Sequence, residues 1–218
     1  MDSALWQSWR AKLQLFDAFG RTGLATEERE GMRLKSRFFD FCAPSGRILD
    51  LGCGTGFNRQ FVPTGARYVG IDPLELAPAG SFPFVRAVGE FLPWRPAVFD
   101  AVICIATLDH VADPEMTIRE CQRVLRPGGT LGIVTKVDFE GTRRMRWLLY
   151  LRIAFRKLRH GNFDGLVRGV RSVFTGTEDE FHMHHFDRAS LHRLCRDHFS
   201  DIELRTIDNV LFLRGRKR

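Results

Sequence analysis

Two acids bracket a run of alternate glycines. Asp50 stands two residues before Gly52 in Ile48-Leu49-Asp50-Leu51-Gly52-Cys53-Gly54-Thr55-Gly56, and Asp72 closes the next apolar run, Tyr68-Val69-Gly70-Ile71-Asp72. Glycines at 52, 54 and 56 let a backbone turn tightly and approach a ligand with no Cβ in the way. A carboxylate beside such a loop suits a cationic amino group. One at a strand end can accept two hydrogen bonds from a ribose diol, and charged hydrogen bonds contribute about 1.5–3 kcal/mol each. The dinucleotide fingerprint requires a glycine where this chain has Phe57, so an NAD-type reading loses its helix-packing residue. The ligand that fits both acids is an amino acid joined to a nucleoside.

These residues need a scaffold, and the hydrophobic pattern supplies one. Ile48, Leu49 and Leu51 form the apolar run of a central parallel strand, and Phe57 to Val62 can open a helix whose N–H groups point into the loop. Strands are expected over 47–51, 67–71, 83–88, 99–106 and 130–137, with helices near 57–62 and 114–125. That alternation argues for a parallel sheet covered on both faces. Asp187 reads as the N-cap of a helix over 187–199. Two further strands, 202–207 and 210–215, follow across an Asp208-Asn209 turn. Ahead of the sheet, amphipathic helices are expected over 4–19 and from Thr26 to about Phe41.

Together with Asp50 to Gly56 and Asp72, four further segments complete a series. They are Gly89-Glu90-Phe91-Leu92-Pro93-Trp94, Phe99-Asp100-Ala101-Val102, Leu108-Asp109-His110-Val111-Ala112-Asp113-Pro114 and Leu125-Arg126-Pro127-Gly128-Gly129-Thr130-Leu131. In this order the chain resembles a class I S-adenosylmethionine-dependent methyltransferase, and is most similar to the small-molecule and quinone-type subgroup. The resemblance covers roughly Arg47 to Val137. It implies a doubly wound, mostly parallel seven-stranded sheet of Rossmann-like methyltransferase type ending in an antiparallel hairpin, while residues 138–186, outside that pattern, read as a helical lid insertion. S-adenosyl-L-methionine is the implied cofactor, with Asp50, Gly52, Cys53, Gly54, Gly56, Asp72, Pro73, Glu90, Phe91 and Thr107 as its expected contacts. Where many members carry an acid facing the adenine, this chain has Val88. Backbone groups and packing against Phe91 are expected to hold that ring instead.

The acceptor side offers fewer signals. His110, at the expected carboxyl end of a strand, is a candidate general base, with structural hydrogen bonding as the alternative. Trp6 and Trp9 on the first helix, and His182 and His184 in His182-Met183-His184-His185, are candidate substrate contacts. Plain packing and helix-start roles stand as their alternatives. No metal site is expected, since the histidines have no partner ligands at a recognised spacing.

The chain has 218 residues and a net charge of +7, enough length for one core. We expect a single methyltransferase domain over 1–218: a helical cap over 1–45, a cofactor-binding core over 46–137, a basic helical lid over 138–186, and a last helix with its hairpin over 187–218. All the excess charge lies beyond residue 138. There Arg143, Arg144, Arg146, Arg152, Arg156, Lys157 and Arg159 alternate with Trp147, Leu148, Tyr150, Leu151 and Phe155. That pattern at 142–160 also suits peripheral contact with an anionic membrane surface.

Five widely spaced cysteines, an opening without a secretory pattern and no long apolar run point to the cytoplasm, with the inner membrane face as a peripheral site. The expected function is methylation of an oxygen or carbon on a small, rather apolar acceptor, such as an aromatic, quinone or lipid-like metabolite. RNA or protein methylation, and a non-catalytic cofactor-binding or membrane-associated scaffold, are the alternatives. No specific nucleic acid partner is expected, because no appended RNA-binding module or base-flipping motif accompanies the basic third. Oligomeric state is left open by the sequence.

Overall fold

A computed structural model describes residues 32–74, 80–136, 184–208 and 210–218. The expected helix over 4–19 with Trp6 and Trp9, the lid up to residue 183 with His182, and the stretch 142–160 lie outside the described residues.

The described elements run α1 (Met32–Cys42), β1 (Arg47–Leu51), β2 (Arg67–Asp72), β3 (Phe84–Arg86), β4 (Phe99–Ile105), α2 (Pro114–Val124), β5 (Leu125–Lys136), α3 (Arg188–Arg196), β6 (Phe199–Ile207) and β7 (Val210–Lys217). One seven-stranded sheet has the order β3-β2-β1-β4-β5-β7-β6. Its first five strands pair in parallel, and β7 runs antiparallel to both β5 and β6. This is the expected doubly wound sheet with its terminal hairpin.

Alternation along the strands divides the core in two. Ile48, Ala101, Ile103 and Phe212 face α1, where Phe38, Phe39 and Phe41 cover them. Leu49, Leu51, Val102, Cys104 and Leu213 face the opposite way, against α2 and α3 through Ile118, Cys121, Leu191 and Cys195. Asp50, two residues on from Ile48 in β1, shares the α1 side. All five cysteines are unpaired and buried. Burial pushes the Cys42 and Cys195 thiols up to about 12.

Caps and ties fix the ends. Asp113 accepts from the Met116 amide at 2.9 Å with Pro114 at the first helical position. Asp187 and Ser190 form a reciprocal capping box at α3, as the acid at 187 suggested. Asp100 accepts from the Arg47 amide at 2.7 Å and from the Arg126 guanidinium at 2.7 Å, joining the starts of β1, β4 and β5.

Two expectations need correction. The helix expected over 57–62 is a single 3-10 stretch, Phe57–Phe61, because Pro63 forces Val62 into an extended conformation. The strand expected from residue 130 begins at Leu125. It pairs with Phe99, shifts register over Pro127-Gly128-Gly129, and pairs again from Thr130 with Ala101. No helix among the described residues is long and apolar enough to cross a membrane.

Candidate functional site

The carboxyl ends of β1, β2 and β4 converge on the glycine loop, at the place where open α/β sheets bind ligands. The Gly52 and Cys53 amides both donate to the Ile71 carbonyl, at 2.8 and 3.0 Å, which prolongs the β1–β2 ladder into the loop. Gly52 has φ +72°, and a Cβ there would collide with the Thr107 side chain at the end of β4. Gly56, at φ +82°, would drive a Cβ into the Phe82 ring. Both positions therefore require glycine for conformation and for space.

Asp50 is fully buried. Its Oδ2 accepts from the Tyr68 hydroxyl at 2.6 Å and from the Asn58 amide at 3.0 Å. Its Oδ1 has no hydrogen-bond partner. Burial pushes the carboxyl up to about 6, against those two hydrogen bonds and the Lys35 charge on α1. The Lys35 ammonium lies 4.5 Å from the centre of the Phe57 ring, directly after the glycine loop.

Asp72 is held by main chain instead. Oδ2 accepts from the Gly54 amide at 2.9 Å, tying the strand end to the loop, and Oδ1 accepts from the Leu74 amide at 2.8 Å beyond Pro73. Burial raises this carboxyl too, opposed by the two amide donors. Each carboxylate oxygen retains a second lone-pair direction for a ligand hydroxyl.

Across the crevice, Glu90 is almost fully buried and accepts through Oε1 from the Ala112 and Asp113 amides at 2.7 and 3.2 Å. It thereby suspends the segment between β4 and α2, a role that sequence reasoning did not foresee. Phe91 beside it is 39% exposed, which leaves a ring face available. Leu92 and Trp94 are fixed from α2. The Leu92 amide donates to Glu120, and Arg123 donates to the Leu92 and Trp94 carbonyls.

The turn out of β4 is strained. Ala106 has φ +52° although it is not glycine. Thr107 follows, its hydroxyl donating to the Ile105 carbonyl at 3.1 Å. The His110 amide then donates to the Thr107 carbonyl, while the imidazole Nε2 is 3.9 Å from Asp109. His184 arrives from the far side of the chain. Its amide donates to the Asp109 carbonyl at 3.2 Å, and its Nε2 lies 3.0 Å from the Val111 carbonyl, so the ring fastens this segment from outside. Among the described residues no group of His, Cys, Asp or Glu is arranged to hold a metal ion.

Thus the expected cofactor residues Asp50, Gly52, Cys53, Gly54, Gly56, Asp72, Pro73, Glu90, Phe91 and Thr107 lie on the β1, β2 and β4 ends and the loop after β3. Tyr68 and Asn58 join them unforeseen. An orphaned buried carboxylate oxygen, a cradle that a Cβ would fill and an acid at the next strand end together fit an aminoacyl-nucleoside.

Residues 49–133 match the family model of a methyltransferase domain. The chain is 34% identical over 157 residues to the thiol S-methyltransferase TMT1A of Homo sapiens, covering 62% of this chain and 63% of that protein. It is 35% identical over 105 residues to the ubiquinone biosynthesis O-methyltransferase of Xanthomonas campestris, covering 42% of this chain and 44% of that one. It therefore spans less than two thirds of the relatives it matches. Among solved structures, the 1,6-didemethyltoxoflavin-N1-methyltransferase of Burkholderia thailandensis, with bound S-adenosylhomocysteine, shares the fold. Its TM-score is 0.66 at 18% identity, over 97% of this chain and 88% of that one. A SAM-dependent methyltransferase of Thermotoga maritima gives 0.62 at 18% identity, over 98% and 100%.

Proposed function

Taking residues 49–133 as a member of the methyltransferase-domain family, we propose that this chain is an S-adenosylmethionine-dependent methyltransferase of small molecules. Its acceptor atom is an oxygen or carbon of a rather apolar metabolite. The observation that carries the reading is the pair of buried carboxylates, Asp50 and Asp72, on adjacent strands around a loop where Gly52 admits no side chain.

Asp50 would hold the ammonium end of the cofactor through Oδ1, which has no partner within the protein, and Asp72, already bonded to Gly54 and Leu74, would hold the ribose diol. Phe91, 39% exposed, would pack against the adenine. When bound, S-adenosylmethionine supplies a methyl group on a positively charged sulfur. The protein's task is to hold donor and acceptor in line, which can contribute roughly 7–11 kcal/mol without a dedicated base. Thr107 belongs with the cofactor contacts, and His110, beyond the carboxyl end of β4, belongs to the acceptor side as the base where the acceptor must lose a proton.

Asp72→Ala is expected to weaken S-adenosylhomocysteine binding by about 2–4 kcal/mol, the worth of its charged hydrogen bonds, as read by titration calorimetry. Unchanged affinity would refute the assignment. For the acceptor, a labelled methyl donor is offered with a catechol-type quinone precursor and, separately, an alkyl thiol. The two arms follow the O- and S-methyltransferase names of the two relatives. Label on the catechol oxygen supports the proposal, and label on the thiol alone replaces it with sulfur chemistry.

A further inference from the structure

Asp50 is gripped from one side only, and that asymmetry has a use. Its Oδ2 is occupied by two neutral donors from different elements, Tyr68 on β2 and Asn58 in the 3-10 stretch, and its Oδ1 has no partner. Asn58 is itself buried, and Tyr68 is wedged edge-on against Phe82 at 5.2 Å between ring centres, so neither donor is able to turn away. From this geometry we infer that Tyr68 and Asn58 are positioning residues. They saturate one oxygen of Asp50 and reserve the other for the ammonium group of an amino-acid-bearing ligand, so that ligand binding is linked to the protonation of Asp50. The inference rests on the cofactor reading above and adds two residues and a pH dependence to it.

A carboxylate kept from water with one oxygen unbonded takes up a proton more readily than one in solvent, and an arriving ammonium must displace that proton. The groups around it are few. Lys35 faces it from α1, Asp72 and Tyr68 from β2, Cys53 from the loop and Cys104 from β4. Lys35 favours the charged form and Asp72 opposes it. The carboxyl stands at about 6, so affinity for an ammonium-bearing ligand is full above that pH and falls below it, approaching about tenfold per pH unit. Removing the Tyr68 donor raises the carboxyl further and moves the onset of that loss to higher pH.

The test compares two ligands on the full chain by calorimetry between pH 5 and pH 7.5. S-adenosylhomocysteine carries the ammonium. 5′-Methylthioadenosine keeps the nucleoside and sulfur and lacks the amino acid, so it registers any titration of Asp72 without that of Asp50. The wild-type protein should lose S-adenosylhomocysteine affinity at least tenfold more than 5′-methylthioadenosine affinity on going to pH 5. In Tyr68→Phe the onset of this difference should move up by at least half a pH unit. Asn58→Ala gives a second, independent reading in the same direction.

A merely structural Tyr68 would lower the melting temperature and leave the onset where it was, which overturns the inference while the cofactor reading survives. Parallel pH curves for the two ligands in the wild-type protein overturn it without recourse to any variant. Binding of neither ligand at any pH removes the cofactor reading and this inference together.

Discussion

Asp50 and Glu90 are both buried carboxylates, each with one oxygen saturated and the other without a partner. What saturates them differs. Asp50 is held by the side chains of Tyr68 and Asn58, whereas Glu90 is held by the main-chain amides of Ala112 and Asp113. A carboxylate fixed by side chains can be altered while the backbone around it stays paired. One fixed by amides is part of the fold, because its loss strands two donors at the entry to α2. The glycine-loop side is thus tunable, and the side on which Glu90 suspends the segment after β4 is structural.

The most severe way to break this division is at Gly52, where the two sides touch. Gly52→Ala places a methyl on the Thr107 side chain at φ +72°, and overpacking with left-handed strain should cost about 2–5 kcal/mol. Denaturant unfolding should show the loss, and S-adenosylhomocysteine binding should disappear with it. A variant of wild-type stability and affinity would mean that the loop and β4 are not in contact.

Asp50→Asn sharpens the contrast with an opposite sign. The Asp50 carboxyl stands at about 6, above the ordinary 3.8, so its contribution to stability is fully present below about pH 3.8 and is lost as pH rises through 6. Replacing it with an amide should make the unliganded protein more stable at pH 8, by up to roughly 3 kcal/mol, and flatten stability between pH 4 and pH 7. Urea melts across that range read both effects, and lower stability at pH 8 would erase the distinction from Glu90.

Glu90→Ala tests the structural side, with the smallest expected change. Two partly buried amides lose their acceptor, so stability should fall by about 1–3 kcal/mol. Hydrogen exchange at Ala112 and Asp113 should quicken. Unaltered exchange would show that the carboxylate does not suspend this segment.

Local patterns carried much of this into the sequence. The glycine loop, both acids and the Asp187 cap are legible because each works within a few residues of itself. Tyr68 escaped notice because its bond to Asp50 spans two strands, and only the register Ile48↔Tyr68, Asp50↔Gly70 puts both on one face. Glu90 was readable as a site residue but its partners were not, since Ala112 and Asp113 lie in another segment with no local signature. His184 was legible only as a polar cluster, and its hold on Asp109 and Val111 depends on where the chain returns. The early start of β5 was hidden by Pro127-Gly128-Gly129, which reads as a loop and folds as an irregular strand entry.

Cys53 lies inside the glycine loop, and its thiol is raised first by burial and then by the nearby charges of Asp50 and Asp72. Thiolates are the nucleophilic form of cysteine. Burial, and after it the acids that flank the cradle, therefore keep this sulfur protonated, so an electrophile lodged there finds no anion to alkylate. Under the proposed function, the loop is in this way shielded from alkylation by the methyl donor it would hold.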